Sequence, residues 1–115
     1  MYISHIDEIE KKALRGETLE GVTKQTAVGP EQGWADHVMR VFTVSPGGHT
    51  PKHRHPWPHI NYVLDGSGTL YHSGETSGIS RGSVAYVPAD TEHQFTNTGT
   101  ENLVFICIVP KEGDT

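Results

Sequence analysis

The sequence predicts an all-β fold, a sandwich or barrel of short strands. Its 115 residues include 13 glycines and 7 prolines. These punctuators separate short runs rich in β-branched and aromatic residues, the pattern of strands joined by turns. No segment longer than about ten residues holds a helical period.

The elements follow in chain order. Ile3, Ile6, Ile9 and Ala13 recur every three to four residues, which allows a short helical turn before Gly16. Residues 22–28 alternate weakly and read as an outer strand. Residues 29–33 are a turn cluster. HVMRVFTV, residues 37–44, is a strand that Ser45-Pro46-Gly47-Gly48 brings to an end. In the strand over residues 59–64, His59, Asn61 and Val63 share one face, and Ile60, Tyr62 and Leu64 share the other. Asp65-Gly66-Ser67-Gly68 carries hairpin chemistry, which makes residues 69–72 the returning strand. Ser73-Gly74 turns the chain again. Short strands then fall at 76–80, 84–87 and 93–96. Residues 103–109 form a continuous apolar run, suited to a strand covered on both faces.

Bulk properties narrow the function classes. A chain of 115 residues makes one domain, residues 1–115. It can bury about two thirds of its unfolded surface, enough for a core without staples. The formal charge of −5 disfavours nucleic acid, which needs a basic face. No apolar run reaches the roughly 20 residues that cross a bilayer, so no membrane partner is expected. MYISHIDEIEKK lacks the basic and apolar regions of a signal peptide. The single cysteine, Cys107, excludes an intrachain disulfide, and a reducing cytoplasm is the simplest location.

Chemistry concentrates in residues 47–66, GGHTPKHRHPWPHINYVLDG. His53 and His55 are two apart, so an extended segment aims both imidazoles at one point. Pro56 and Pro58 favour a bend, after which a strand can bring His59 back to the same point. His93, in VPADTEHQFTN, is the fourth member. Neutral imidazole is the commonest metal ligand and suits Zn, Cu, Fe and Ni. We therefore expect His53, His55, His59 and His93 to hold one divalent transition metal ion: Fe, Mn, Cu, Ni or Zn. If His93 points inward, so does Phe95. On the last strand, Phe105 and Cys107 are expected inward, with Val104, Ile106 and Ile108 packing outward. Cys107 is either a buried inert thiol or an oxidisable group near a redox metal. Arg40 interrupts an apolar strand. It either faces solvent or stands at the pocket wall as a bidentate binder of a substrate anion. Trp57 either packs or caps the pocket mouth. His5, His37, His49 and His72 read as surface residues.

These motifs resemble a known family. Gly47, five residues, His53-x-His55, three residues, His59, six residues and Gly66 are similar to the first cupin motif, with His59 where glutamate is usual. Gly82, five residues, Pro88, His93, three residues and Asn97 are similar to the second, with Asp90 where glycine is usual. Fifteen residues separate Gly66 from Gly82, as in compact single-domain bacterial cupins. The resemblance implies a double-stranded β-helix, the jelly-roll or cupin barrel. Its core would span about residues 38–109, with residues 1–37 as an N-terminal strand and arm. It also implies a metal inside the barrel and homodimer formation through outer sheets and N-terminal strands. Val22–Val28 fits that pairing, because it has few apolar residues to hold it alone. The resemblance does not fix the reaction.

The ligand chemistry says more. Four neutral ligands leave the ion's 2+ charge uncompensated, which favours a small anionic ligand or substrate. On a six-coordinate ion two positions stay open; on zinc, four histidines would close a tetrahedron. Cupin barrels hold ligands on one side of the ion, which favours the open arrangement. The leading expectation is a metal-dependent, dioxygenase-like enzyme acting on a small anionic or enolisable compound. The alternatives are a non-oxidative lyase, isomerase or decarboxylase, which needs a general base, and a non-catalytic binder of metal or small ligands.

Overall fold

A computed structural model describes residues 1–114. The strands are β1 (Lys12–Ala13), β2 (Glu20–Val28), β3 (His37–His49), β4 (His59–Asp65), β5 (Ser67–His72), β6 (Glu75–Ser80), β7 (Val84–Val87), β8 (His93–Asn97) and β9 (Leu103–Pro110). Among the described residues, helix is limited to one-turn 3-10 segments at Ile6–Glu8, Pro30–Gln32 and Lys111–Gly113. None is long or apolar enough to cross a membrane.

The strands hydrogen-bond in the order β6-β5-β8-β3-β9-β4-β7, with β2 on β3 and β1 on β2. All pairings are antiparallel. The long β3 curls the sheet over itself. Its first part, from His37 to Val44, pairs with β9, while His49 at its far end lies opposite Thr96 of β8. Strand alternation then sorts the side chains. Along β9, Leu103, Phe105, Cys107 and Val109 are buried, and Val104, Ile106 and Ile108 between them are half-buried on the outer side. Val22, Val44, Val63, Leu70, Phe95, Leu103 and Phe105 meet in the core. Burying each large apolar side chain of this kind is worth about 1.5–3 kcal/mol. The result is an all-β jelly roll, the double-stranded β-helix.

Two local expectations are corrected. Asp65-Gly66-Ser67-Gly68 is not a hairpin turn, because β4 pairs with β7 and β9 whereas β5 pairs with β6 and β8. The chain crosses there from one layer to the other. Gly66 makes the corner at φ +84°, where a Cβ would run into the Asn102 carbonyl. The true hairpin is β5–β6, closed by Ser73 and Gly74, both at positive φ, with His72 opposite Glu75. Second, Ser45-Pro46-Gly47-Gly48 does not end β3. The register against β2 jumps from Val22↔Val44 to Glu20↔His49, so these residues form a bulge, a place where proline costs no ladder bond. The short helical turn expected before Gly16 is present as the 3-10 turn Ile6–Glu8. Buried Gln25 pins that turn to the outer face of β2, with its Nε2 donating to the carbonyls of Ile6 at 2.9 Å and Ile9 at 3.0 Å.

Candidate metal centre

The two histidine segments are tied together through their backbones. His93 N–H donates to the His53 carbonyl at 2.9 Å, and His53 N–H donates back at 3.2 Å. Asp90 N–H donates to the His55 carbonyl at 2.8 Å. Asp90 has φ +61°, a left-handed turn position that aspartate tolerates better than most residues. Asn97, the last residue of β8, secures the corner behind. Its Nδ2 donates to the carbonyls of Val44 and Glu101, both at 2.8 Å.

This framework brings His53, His55 and His93 together, with one nitrogen from each ring within 4.8 Å of the others. His59, at the start of β4, stands beside them. Its Nε2 lies 3.2 Å from that of His93, and its ring centroid 5.2 Å from that of His55. Carbonyl oxygens fix three of the four rings. Asn61 Oδ1 accepts from His59 Nδ1 at 2.6 Å, the Thr91 carbonyl from His93 Nδ1 at 2.8 Å, and the Trp57 carbonyl from His55 Nδ1 at 2.9 Å. Asn61 is oriented in turn by donating to the Ile106 carbonyl at 3.3 Å.

A ring that donates through Nδ1 presents a lone pair at Nε2. With both Nδ1 atoms donating, the Nε2 lone pairs of His59 and His93 face each other at 3.2 Å, an arrangement that a shared proton or cation relieves. Protons are disfavoured here. Burial, then the neighbouring His93 and His55, push His53 down to about 4. Burial, then His93, push His59 down to about 3 against the opposing bond to Asn61. Burial also lowers His93, against the Thr91 carbonyl. Neutral, oriented imidazoles converging on one point are the donor set that a transition metal requires.

Beside the cluster lies a cavity of about 440 Å³. Arg40, Trp57, Phe95, Phe105 and Cys107 all line it. Arg40 lines this interior, and its side chain is 9 % exposed. One terminal nitrogen donates to Cys107 Sγ at 3.1 Å, the other lies 3.5 Å from Asp114 Oδ1, and Nε has no partner. Burial raises the Cys107 thiol pKa, with Arg40 opposing, so the group stays protonated. Half-buried Trp57 stacks on His55 at 5.1 Å and 13°. Leu14, Leu19 and Gly113 also line the cavity, although no sequence spacing links them to the histidines. Asn61 was legible only through its shared strand face with His59. His5, His37 and His72 lie outside the cavity lining, and His49 bonds to the Thr50 carbonyl.

A jelly roll with histidines converging beside an internal cavity defines a cupin, and the chain belongs to that family: residues 40–109 match the cupin domain. It is similar to auxin-binding protein 1 of Arabidopsis thaliana, 38 % identical over 79 % of this chain and 51 % of that protein. It is also similar to the 1-methylthio-D-xylulose 5-phosphate methylsulfurylase of Rhodospirillum rubrum, 33 % identical over 66 % of this chain and 49 % of that protein. The chain therefore spans about half the length of these curated relatives. Among solved structures, the polyketide cyclase RemF of Streptomyces resistomycificus superposes with a TM-score of 0.89 at 28 % identity, covering 96 % of this chain and 79 % of that one.

Proposed function

We propose that this protein is a metal-dependent oxygenase acting on a small anionic or enolisable organic compound, with His53, His55, His59 and His93 together holding the metal. The observation that carries the reading is the pairing of oriented, neutral imidazoles with a buried, under-satisfied guanidinium, Arg40, in one cavity. A bound divalent transition ion would supply Lewis acidity and, for a redox-active metal, electron transfer to dioxygen. Arg40 holds the substrate's anionic oxygen. The rings of Phe95 and Phe105 exclude water and strengthen that attraction. Among the described residues no carboxylate or phenol side chain lines the cavity, so a substrate that arrives ionised suits the site better than one needing a side-chain base.

A second reading, non-oxidative chemistry, is favoured by two relatives whose names are methylsulfurylase and cyclase. A non-catalytic binder is favoured by the relative named for binding auxin. The deciding experiment combines anaerobic metal analysis of freshly purified protein with oxygen uptake. Iron-, manganese- and copper-loaded protein is challenged with β-diketones, catechols, flavonols and thiol acids. Redox-active native metal and substrate-driven uptake support the oxygenase. Zinc alone, with no uptake and no change in the metal spectrum, overturns it.

We further propose a homodimer. Ile60, Tyr62 and Leu64 on β4 and Val84 and Tyr86 on β7 form an exposed apolar face, with Ile60 opposite Tyr86 and Tyr62 opposite Val84. The unpaired Cys107 supports a reducing, cytoplasmic setting.

A further inference from the structure

The segment that follows β9 reaches the cavity's cation with a carboxylate of its own. Lys111–Gly113 forms a single 3-10 turn, and buried Gly113 lines the cavity. A Cβ at this position would meet Trp57 Nε1 at 2.5 Å and would also run into Val109, so only glycine fits the seat. Trp57 in turn stacks on His55. One residue further on, Asp114 Oδ1 lies 3.5 Å from Arg40 Nη1 and 3.2 Å from Lys24 Nζ. One turn therefore touches both the histidine loop and the guanidinium.

Little holds this turn in place. Lys111 and Glu112 are exposed, and Gly113 has no side chain to bury. The Lys111 N–H donates to the Asp36 carbonyl at 2.9 Å. The Lys24–Asp114 pair is partly exposed, and such pairs contribute little. Arg40, by contrast, is fixed within β3, opposite Thr26 of β2 and Cys107 of β9. A free carboxylate can approach a guanidinium to about 2.7–2.9 Å and engage two of its N–H groups. The single contact with Asp114 is longer. Asp114 and an anion in the cavity draw on the same positive charge and repel each other, so each weakens the other's hold.

We propose that residues 111–114 form a displaceable latch: Asp114 holds Arg40 when no anion is bound, and an anion entering the cavity releases Asp114 and, with it, Gly113 from Trp57. This rests on the proposed function only in taking Arg40 as the anion's partner; neither metal nor dioxygen enters. Coupling of this kind is reciprocal, so freeing the latch strengthens anion binding.

The test is a chemical-shift titration of purified metal-free protein with sodium acetate at constant ionic strength, with the NOE between Gly113 and the Trp57 indole followed alongside. In the wild type, saturating acetate should weaken that NOE. Gly113→Ala unseats the turn without changing any charge, and it should bind acetate at least about fivefold tighter than wild type, the lower end of ordinary coupling between sites. Asp114→Asn should tighten binding in the same direction. If Asp114 only positions Arg40, both variants bind acetate no tighter than wild type, and the latch is overturned. An NOE that persists at saturation overturns it too. Should Gly113→Ala fail to fold, Asp114→Asn and the wild-type NOE decide. Arg40→Met separates the latch from the reading beneath it. Acetate binding that is lost in Arg40→Met, with the wild-type NOE unmoved, sinks the latch alone. Acetate binding that survives in Arg40→Met, or is absent from every form, sinks both.

Discussion

Replacing Asn61 by leucine separates a three-histidine site from a four-histidine one. Asn61 is 1 % exposed and accepts from His59 Nδ1 at 2.6 Å. Leucine has similar bulk and no acceptor. In Asn61→Leu, His59 loses the bond that fixes its ring and presents Nε2 to the cluster. Removing such a supporting partner typically costs 10–100-fold in metal affinity, about 1.4–2.7 kcal/mol. Stability should fall as well, by about 1–3 kcal/mol, because the buried His59 Nδ1–H and Ile106 carbonyl each lose a partner. The two effects are read separately: metal affinity by competition against a chromophoric chelator, stability by urea unfolding of metal-free protein. Asn61→Asp keeps an acceptor and should retain metal better than Asn61→Leu. If Asn61→Leu binds metal as tightly as wild type while losing only stability, His59 is not a ligand. His53, His55 and His93 would then hold the ion without it.

Three further outcomes are expected. Metal-free protein should lose stability as pH falls from about 6.5 toward 4. The folded-state pKa values of His53 and His59 lie at about 4 and 3, below the unfolded value of 6.5, so the unfolded chain takes up more protons in that window. Urea melts across the range check this, and a flat profile that His53→Gln and His59→Gln leave unchanged counts against it. Gln25→Ala should cost about 1–3 kcal/mol, since it removes both bonds to the N-terminal turn. Faster proteolysis near Ile6 should accompany the loss, and unaltered proteolysis would refute the pinning role. Tyr86→Lys should convert a dimer to monomer in sedimentation at micromolar concentration, and a wild-type monomer there would refute the dimer itself.

Strand positions were readable because period-two alternation is a local property. Parity groups His59, Asn61 and Val63 on β4, and Phe105 and Cys107 on β9, onto single faces; on β9 the all-aliphatic character of Val104, Ile106 and Ile108 marked theirs as the outer one. Turn chemistry was readable, but its destination was not. Asp65-Gly66 and Ser73-Gly74 both offer a glycine at positive φ, yet one crosses between layers and the other closes a hairpin. Which occurs depends on where the preceding strand finds its partners, and for β4 these are β7 and β9, distant in sequence. The same limit hid part of the cavity wall. Leu14 and Leu19 reach it because β2 docks on β3, and Gly113 because the chain folds back after β9 to pack against Trp57.

His59 stands where the first cupin motif, which this stretch resembles, usually has glutamate, and the difference bears on its surroundings. A carboxylate at this position would place a negative charge in the cavity that Arg40 lines, and would compete with any substrate anion for the metal and for Arg40 alike. An imidazole removes that competition, but it creates a close contact between two lone pairs, Nε2 of His59 and of His93, 3.2 Å apart. Asn61 and the Thr91 carbonyl hold both rings in this arrangement. Cation binding relieves the contact while burial disfavours protonation, so the energy that orients these rings favours the metal-bound state. Because the unfolded chain lacks the site, metal affinity adds directly to folding stability. On the proposed reading, the same neutral ligand set would leave the cavity positive for an incoming anion and would couple the fold to a bound metal.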